Sequence, residues 1–324
     1  MIPLRDNIPS ASFPAVNYTI IALNCAVFIF EMLYPGNLNL LIMQYGLVPA
    51  KFSVPGFAAH FSFGENAVSL VSFMFLHGGF LHLIGNMWFL YIFGDNVEDR
   101  LGSVRYLIFY LLCGWASGLF HVITNLHSEM PTIGASGAVA GVMGAYLISF
   151  SRSRIITLVP ILFIPYFLEI PSPYFLGFWV FFQFLSAAIT DSSTSGIAWW
   201  AHIGGFGAGI VFLKMFLLIP ESGVSRRVRE ATMRQTSPRL HVTRGLDYGE
   251  GFDSYGTITI TPEEARAGTS KLISIKNGSQ SRTFSVKIPP GTGGNTVLRL
   301  AGLGKKREGE TGDFYLKVMV FPLS

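Results

Sequence analysis

Gly134-Ala135-Ser136-Gly137 and, some sixty residues later, Trp199-Trp200-Ala201-His202 decide how this chain is read. Each opens an apolar run long enough to cross a bilayer, which needs about 20 residues. Ser136 is the first polar side chain of one run, and His202 of the other. A serine and a histidine facing each other inside a membrane suggest a nucleophile and its base.

The composition supports a membrane reading. Of 324 residues, 50% are hydrophobic and only 13% charged, against about 25% charged in soluble domains. Mean hydropathy is +0.47. The apolar blocks stop near residue 220, and charge density then rises. Residues 1–220 therefore read as a membrane domain, 221–250 as a basic and polar linker, and 251–324 as a small soluble domain. The net charge of +4 comes with no aromatic-interleaved basic patch, so no nucleic-acid partner is expected. Cys25 and Cys113 both lie inside apolar blocks, which offers no disulfide framework or zinc site. The first block starts near Asn17 without a small-residue cleavage site, so no cleavable signal is expected.

Six blocks qualify as spans: 17–35, 79–95, 103–125, 135–151, 172–190 and 199–219. The expected fold is an all-α polytopic bundle of six transmembrane helices with a mainly-β C-terminal domain. Glu31 lies near one end of the first span, where it can reach the interface. The loop before the second span is too apolar for a solvated linker and is expected at the interface. Residues 155–171 are apolar but carry Pro160, Pro165 and Glu169. They are expected to be interfacial or re-entrant rather than a seventh span. Arg5, Arg100, Arg105, Arg152, Arg154, Arg226, Arg227 and Arg229 fall on one side of such a bundle, and only Lys51 on the other. By the positive-inside rule both termini are cytoplasmic. Ser136 and His202 then lie at similar depth, near the outer surface.

Ser136, Ala140 and Gly144 share one face of the fourth span, and Ala201, Gly205 and Gly209 one face of the sixth. Small-residue faces let helices approach closely in lipid, which would bring Ser136 to His202. His82 and Asn86, four apart on the second span, lie at the depth of Ser136. They suit donation to a developing oxyanion, and His77 is the third polar group at that end. A metal held by His77, His82 and His202 is a weaker reading, because the His77–His82 spacing does not share a helical face and no carboxylate stands behind them. No cofactor or metal is expected.

These residues together resemble the rhomboid family of intramembrane serine proteases. The resemblance rests on His77, His82 and Asn86, then Val97-Glu98-Asp99-Arg100-Leu101-Gly102, Gly134-Ala135-Ser136-Gly137 and Trp199-Trp200-Ala201-His202-Ile203-Gly204-Gly205, and covers about residues 15–220. It implies a catalytic dyad of Ser136 and His202. It also implies an oxyanion pocket of His82, Asn86 and the Ser136 N–H, with no third catalytic member. The implied substrates are single-span membrane proteins cut near the outer face of the bilayer, here of a bacterial inner membrane. Ala140 stands where some members carry an aromatic that stacks on the histidine. The rival reading is a non-catalytic relative that binds membrane proteins for quality control.

In the tail, Thr257 to Ile260 alternates as a strand, and Thr261-Pro262-Glu263-Glu264 is a capping box. Further strands are expected around Ile273 and Ile275, from Phe284 to Ile288, at 297–300 and from Phe314 to Val320, with a turn at Asn277-Gly278. Ile260 to Gly268, Val286 to Gly291, Leu298 to Gly304 and Gly312 to Leu316 resemble the C-terminal substrate-binding domain of DnaJ-type co-chaperones. The resemblance implies binding of extended peptide. The J domain with its His-Pro-Asp turn, and the zinc-binding cysteines of such co-chaperones, are not found in this sequence, so recruitment of a chaperone ATPase is not implied.

Overall fold

The computed structural model describes residues 2–8, 10, 12–161, 164–189, 198–220, 222–232, 240–244, 252–277, 280–307 and 310–320. The chain divides into two compact units, Met1–Met233 and Arg234–Ser324.

The first unit begins with strand β1 (Ile2–Asp6) and helix α1 (Ala15–Leu33). Four short helices follow: α2 (Leu38–Tyr45), α3 (Ala50–Ser53), α4 (Pro55–Ala58) and α5 (Phe63–Ser72). Next come α6 (Phe80–Leu101), α7 (Ser103–Thr124) and α8 (Ser136–Ser149), then strands β2 (Arg154–Ile161) and β3 (Ile164–Pro171), and helices α9 (Ser172–Ile189), α10 (Trp199–Leu218) and α11 (Gly223–Thr232). Each expected apolar block is thus a helix. Four of them, α1, α7, α9 and α10, are long and apolar enough to cross a membrane. The last turns of α6 carry Asp95, Glu98, Asp99 and Arg100, which shortens its apolar stretch. Helix α8 has 14 residues, about 21 Å of rise against a hydrocarbon core of ~30 Å. It is the centre of the bundle, with every residue from Gly137 to Tyr146 buried.

Glycines let α10 lie directly on α8. A Cβ at Gly205 would strike the carbonyl of Gly137, one at Gly209 that of Gly141, and one at Gly144 that of Phe206. The small face of α10 lies as read from the sequence. On α8 the touching row is Gly137, Gly141 and Gly144, one residue round from the expected Ser136–Ala140–Gly144 face. That offset leaves Ser136 beside the seam, where its hydroxyl is not crushed against backbone.

Three further expectations are corrected. Residues 155–171, expected to be an interfacial or re-entrant segment and not a seventh span, are not helical among the described residues; they make an antiparallel hairpin, β2 with β3, to which β1 adds in the order β1-β2-β3. Pro160 pairs with Pro165, which confines both missing N–H donors to one rung near the bend. Glu31 does not reach out to an interface. It is 4% exposed, and its carboxylate accepts the His77 backbone N–H, 3.2 Å from either oxygen. The connection from α1 to α6 is helical rather than a plain loop, and its turns are tied by side chains. Ser62 and Glu65 form a capping box, and Gln44 donates to Glu65 at 2.7 Å. The Lys51 ammonium is buried, donating to the carbonyl of Gln44 at 3.0 Å and lying 4.3 Å over the Phe61 ring.

Glu98 explains part of the charged end of α6. Its carboxylate accepts the N–H groups of Val16 (3.2 Å) and Asn17 (2.8 Å) at the start of α1 and the Ser103 hydroxyl (2.6 Å) at the start of α7. One anion thus serves two helix N-termini, whose free N–H groups and dipoles favour negative charge.

In the second unit, strand β4 (Leu240–Arg244) lies in the stretch read as linker, as does α11 of the first unit. Then come β5 (Ser254–Ile260), helix α12 (Pro262–Ala267), β6 (Thr269–Asn277), β7 (Gln280–Ile288), β8 (Val297–Leu300), the short pair β9 (Lys306–Arg307) and β10 (Glu310–Thr311), and β11 (Phe314–Val320). Two three-stranded sheets result, β5-β11-β8 and β4-β6-β7. Strand β11 is parallel to β5 and antiparallel to β8. Ile258, Ile260, Ile273, Val286, Ile288, Phe314, Leu316 and Val318 form one core. The Thr261–Glu264 capping box is present. Strands β6 and β7 pair Asn277 opposite Gln280; the turn at Gly278 lies outside the described residues.

Candidate active site

Three helix starts converge at one end of the bundle. Ser136 is the first residue of α8, His202 lies in the first turn of α10, and His82 in the first turn of α6. The His202 Nε2 is 2.9 Å from the Ser136 Oγ. Both residues are partly exposed, whereas the glycine seam beneath them is closed. Ser117 of α7 fastens the seam from a third side, donating to the Ala201 carbonyl at 2.8 Å.

Gly134 sets the approach to the serine. Its φ is +122°, a region that disfavours any side chain. A Cβ there would be 2.6 Å from Cε1 of His82 and 3.6 Å from Nδ2 of Asn86. His82 and Asn86 therefore lie against the turn that delivers Ser136. The Gly134 N–H donates to the Phe73 carbonyl at 2.8 Å, which ties this turn to the end of α5.

His77 lies beside His82 and Asn86 at the same end of the bundle. It is 3% exposed. Its Nε2 is 3.2 Å from the Asn86 amide nitrogen, and its Nδ1 is 3.1 Å from the Phe75 carbonyl. With Nδ1 as the donor, Nε2 accepts from Asn86. Its ring meets that of His82 edge-on at 5.2 Å. His77 is thus a strut behind Asn86. Among the described residues no group of three His, Cys, Asp or Glu side chains is arranged to hold a metal ion.

The sequence reading missed two side chains, both on α9. The Gln183 Oε1 is 2.7 Å from the His202 Nδ1. One turn earlier, the Trp179 ring lies 6.0 Å from the imidazole at 35°, while Trp199 meets it edge-on at 6.1 Å. Trp179 lies over the ring where Ala140 offers no aromatic. A signal for Gln183 existed: it is the one amide in an otherwise apolar helix, and a buried amide in lipid demands a partner.

The architecture defines a helical membrane protein with a serine–histidine pair at the mouth of its central helix. The comparisons match two domains of the chain. Residues 64–219 match the rhomboid domain, and 255–323 the DnaJ C terminal domain. RHOMBOID-like protein 5 of Arabidopsis thaliana is 40% identical over 24% of this chain and 25% of its own length. RHOMBOID-like protein 6, mitochondrial, of the same plant is 28% identical over 49% of this chain and 47% of its own. Rhomboid protein 1, mitochondrial, of Saccharomyces cerevisiae is 28% identical over 45% and 40%. The chain thus spans a quarter to about half the length of these relatives. The chain carries a rhomboid domain and, behind it, a DnaJ C terminal domain.

Proposed function

We propose that the chain is an intramembrane serine endopeptidase. The observation that carries this reading is the 2.9 Å approach of His202 Nε2 to Ser136 Oγ. His202 takes the hydroxyl proton as Ser136 attacks a peptide carbonyl, and then gives it to the leaving amine. The Ser136 N–H, His82 and Asn86 receive the oxyanion, with His77 steadying Asn86. Water then deacylates Ser136.

In the same reading α1, α6, α7, α8, α9 and α10 make up the membrane bundle, as the six apolar blocks suggest. The short α8 places Ser136 below the outer surface, both termini are cytoplasmic, and the substrates are single-span proteins. The membrane in this reading is a bacterial inner membrane; two of the relatives above are mitochondrial. The C-terminal domain binds extended peptide, as its DnaJ C terminal match suggests.

Covalent labelling of the purified protein by a fluorescent fluorophosphonate tests the centre of this reading. The wild type should label and cleave a model transmembrane substrate; Ser136→Ala and His202→Ala should do neither while still folding. A folded wild type that binds membrane proteins but neither labels nor cleaves would identify the non-catalytic alternative.

A further inference from the structure

Helix α9 carries one amide and no charged side chain in 18 residues: Gln183, between Phe182 and Phe184. It is 7% exposed. Its Oε1 lies 2.7 Å from His202 Nδ1, and its Nε2 lies 3.4 Å from the Trp179 carbonyl, one turn back on its own helix. We propose that Gln183 is the positioning residue for His202, fixing the imidazole tautomer that the Ser136 reaction requires. This rests on the protease reading above.

The argument is one of donors and acceptors. A neutral imidazole carries one N–H, and its other nitrogen is the base. With Oε1 facing Nδ1, the proton sits on Nδ1 and the Nε2 lone pair points at the Ser136 hydroxyl. Reversing the amide would place its NH₂ against Nδ1, drive the ring proton onto Nε2, and leave no base facing Ser136. It would also set Oε1 against the Trp179 carbonyl, two acceptors with no proton between them. The backbone of α9 therefore selects the amide orientation, and the amide selects the tautomer.

Orientation of the ring does not depend on Gln183 alone, because Trp179 covers it from one side and Trp199 meets it edge-on. What Gln183 adds is the choice of protonated nitrogen. A carboxylate would make the same choice but would bury a charge. An amide makes it with a dipole, and so gives the imidazolium formed during catalysis less support than a carboxylate would. The titratable groups near the ring are His82 of α6 and His121 of α7. Helices α8 and α9 carry no acid, lysine or arginine, and the lysine of α10, Lys214, lies three turns away.

The test uses full-length protein in lipid nanodiscs, with Gln183→Leu and Gln183→Glu beside the wild type. The rate of Ser136 labelling by fluorophosphonate is followed from about pH 5 to 9, a range that brackets histidine titration. Turnover of a transmembrane substrate gives kcat and KM separately. Gln183→Leu should lower the labelling rate and kcat about ten- to hundredfold with KM little changed, the loss expected when a buried partner is left unpaired. Gln183→Glu should keep the tautomer and favour the imidazolium, moving the acid limb of the profile to higher pH by about one unit. A ¹⁵N spectrum of labelled histidine should show His202 protonated at Nδ1 in the wild type and a tautomer mixture in Gln183→Leu, and it needs no turnover. If Gln183→Leu fails to fold, the Gln183→Glu profile decides. Unshifted profiles, or a wild-type His202 protonated at Nε2, overturn the role of Gln183 and leave the protease reading standing. A wild type that never labels at Ser136 overturns the catalytic reading, while the spectrum still judges the tautomer.

Discussion

At the scale of single residues, the site depends on side chains and on the absence of one. Gly134→Ala must carry a side chain at φ +122° and push its Cβ into the His82 ring. We expect at least a tenfold loss of cleavage with a lower melting temperature, since strain of this kind costs about 1–3 kcal/mol. Asn86→Ala should cost about 10²-fold in kcat, the low end of the range for losing one oxyanion donor; an unchanged kcat would remove Asn86 from the pocket. Lys51 offers a pH test outside the helices read as spans. Burial pulls its ammonium down to about 8 from 10.5, opposed by the Glu65 carboxylate. The unfolded chain therefore holds this proton between those values while the folded chain has lost it, and stability rises with pH across that window. Thermal melts at pH values from about 8 to 10 should show the rise, and Lys51→Met should flatten it. The Ser136–His202 pair was legible because two polar groups opened two apolar runs. Gln183 was legible only as the one amide of an apolar helix, with no spacing to name its partner. His77 could be grouped with His82 and Asn86 from the sequence, but not the turn of its ring back onto Asn86.

At the scale of elements, the α8–α10 seam makes the sharpest demand on sequence. Gly205 and Gly207 are two residues apart on α10, yet a Cβ at Gly205 meets backbone while one at Gly207 meets nothing within 4 Å. Gly205→Ala should destabilise by about 1–3 kcal/mol, as overpacking does, and reduce activity by moving His202 from Ser136. Gly207→Ala should be neutral in both. Melts and cleavage assays on the two variants check this, and equal effects would mean the helices do not touch as described. The helices themselves were legible from uninterrupted apolar runs, and the strands of the tail from alternation. The β2–β3 hairpin was hidden by Pro160 and Pro165, which read as helix breaks. Only their pairing across two strands shows why a sheet accepts them. The parallel pairing of β5 with β11 joins segments some sixty residues apart, and no local pattern announces a partner so distant.

At the scale of the whole chain, the two units allow their contributions to be separated. In the proposed topology both termini, and with them the C-terminal domain, are cytoplasmic. A reporter that works only outside the cytoplasm should be inactive after Ser324 and active when inserted within 191–197; the reverse would overturn that topology. A chain ending near Leu218 should still cut a short transmembrane substrate but lose efficiency on one with a long cytoplasmic tail, if the domain captures extended peptide and raises its local concentration. Equal loss on both substrates would instead assign the domain a stabilising role.

The small sheet β1-β2-β3 also has a consequence in time. Asp6 pairs with Ile155, and between them the ribosome must make and release α1 through α8. At roughly 5–20 residues per second, that separation is a wait of about 8–30 s. During it the first strand of the chain is committed to no partner, while the helices that will flank its sheet are already packing. The N-terminal strand therefore closes the membrane unit late. A tag or mutation that delays its pairing should show itself first in the yield of assembled protein, before any change in the chemistry at Ser136.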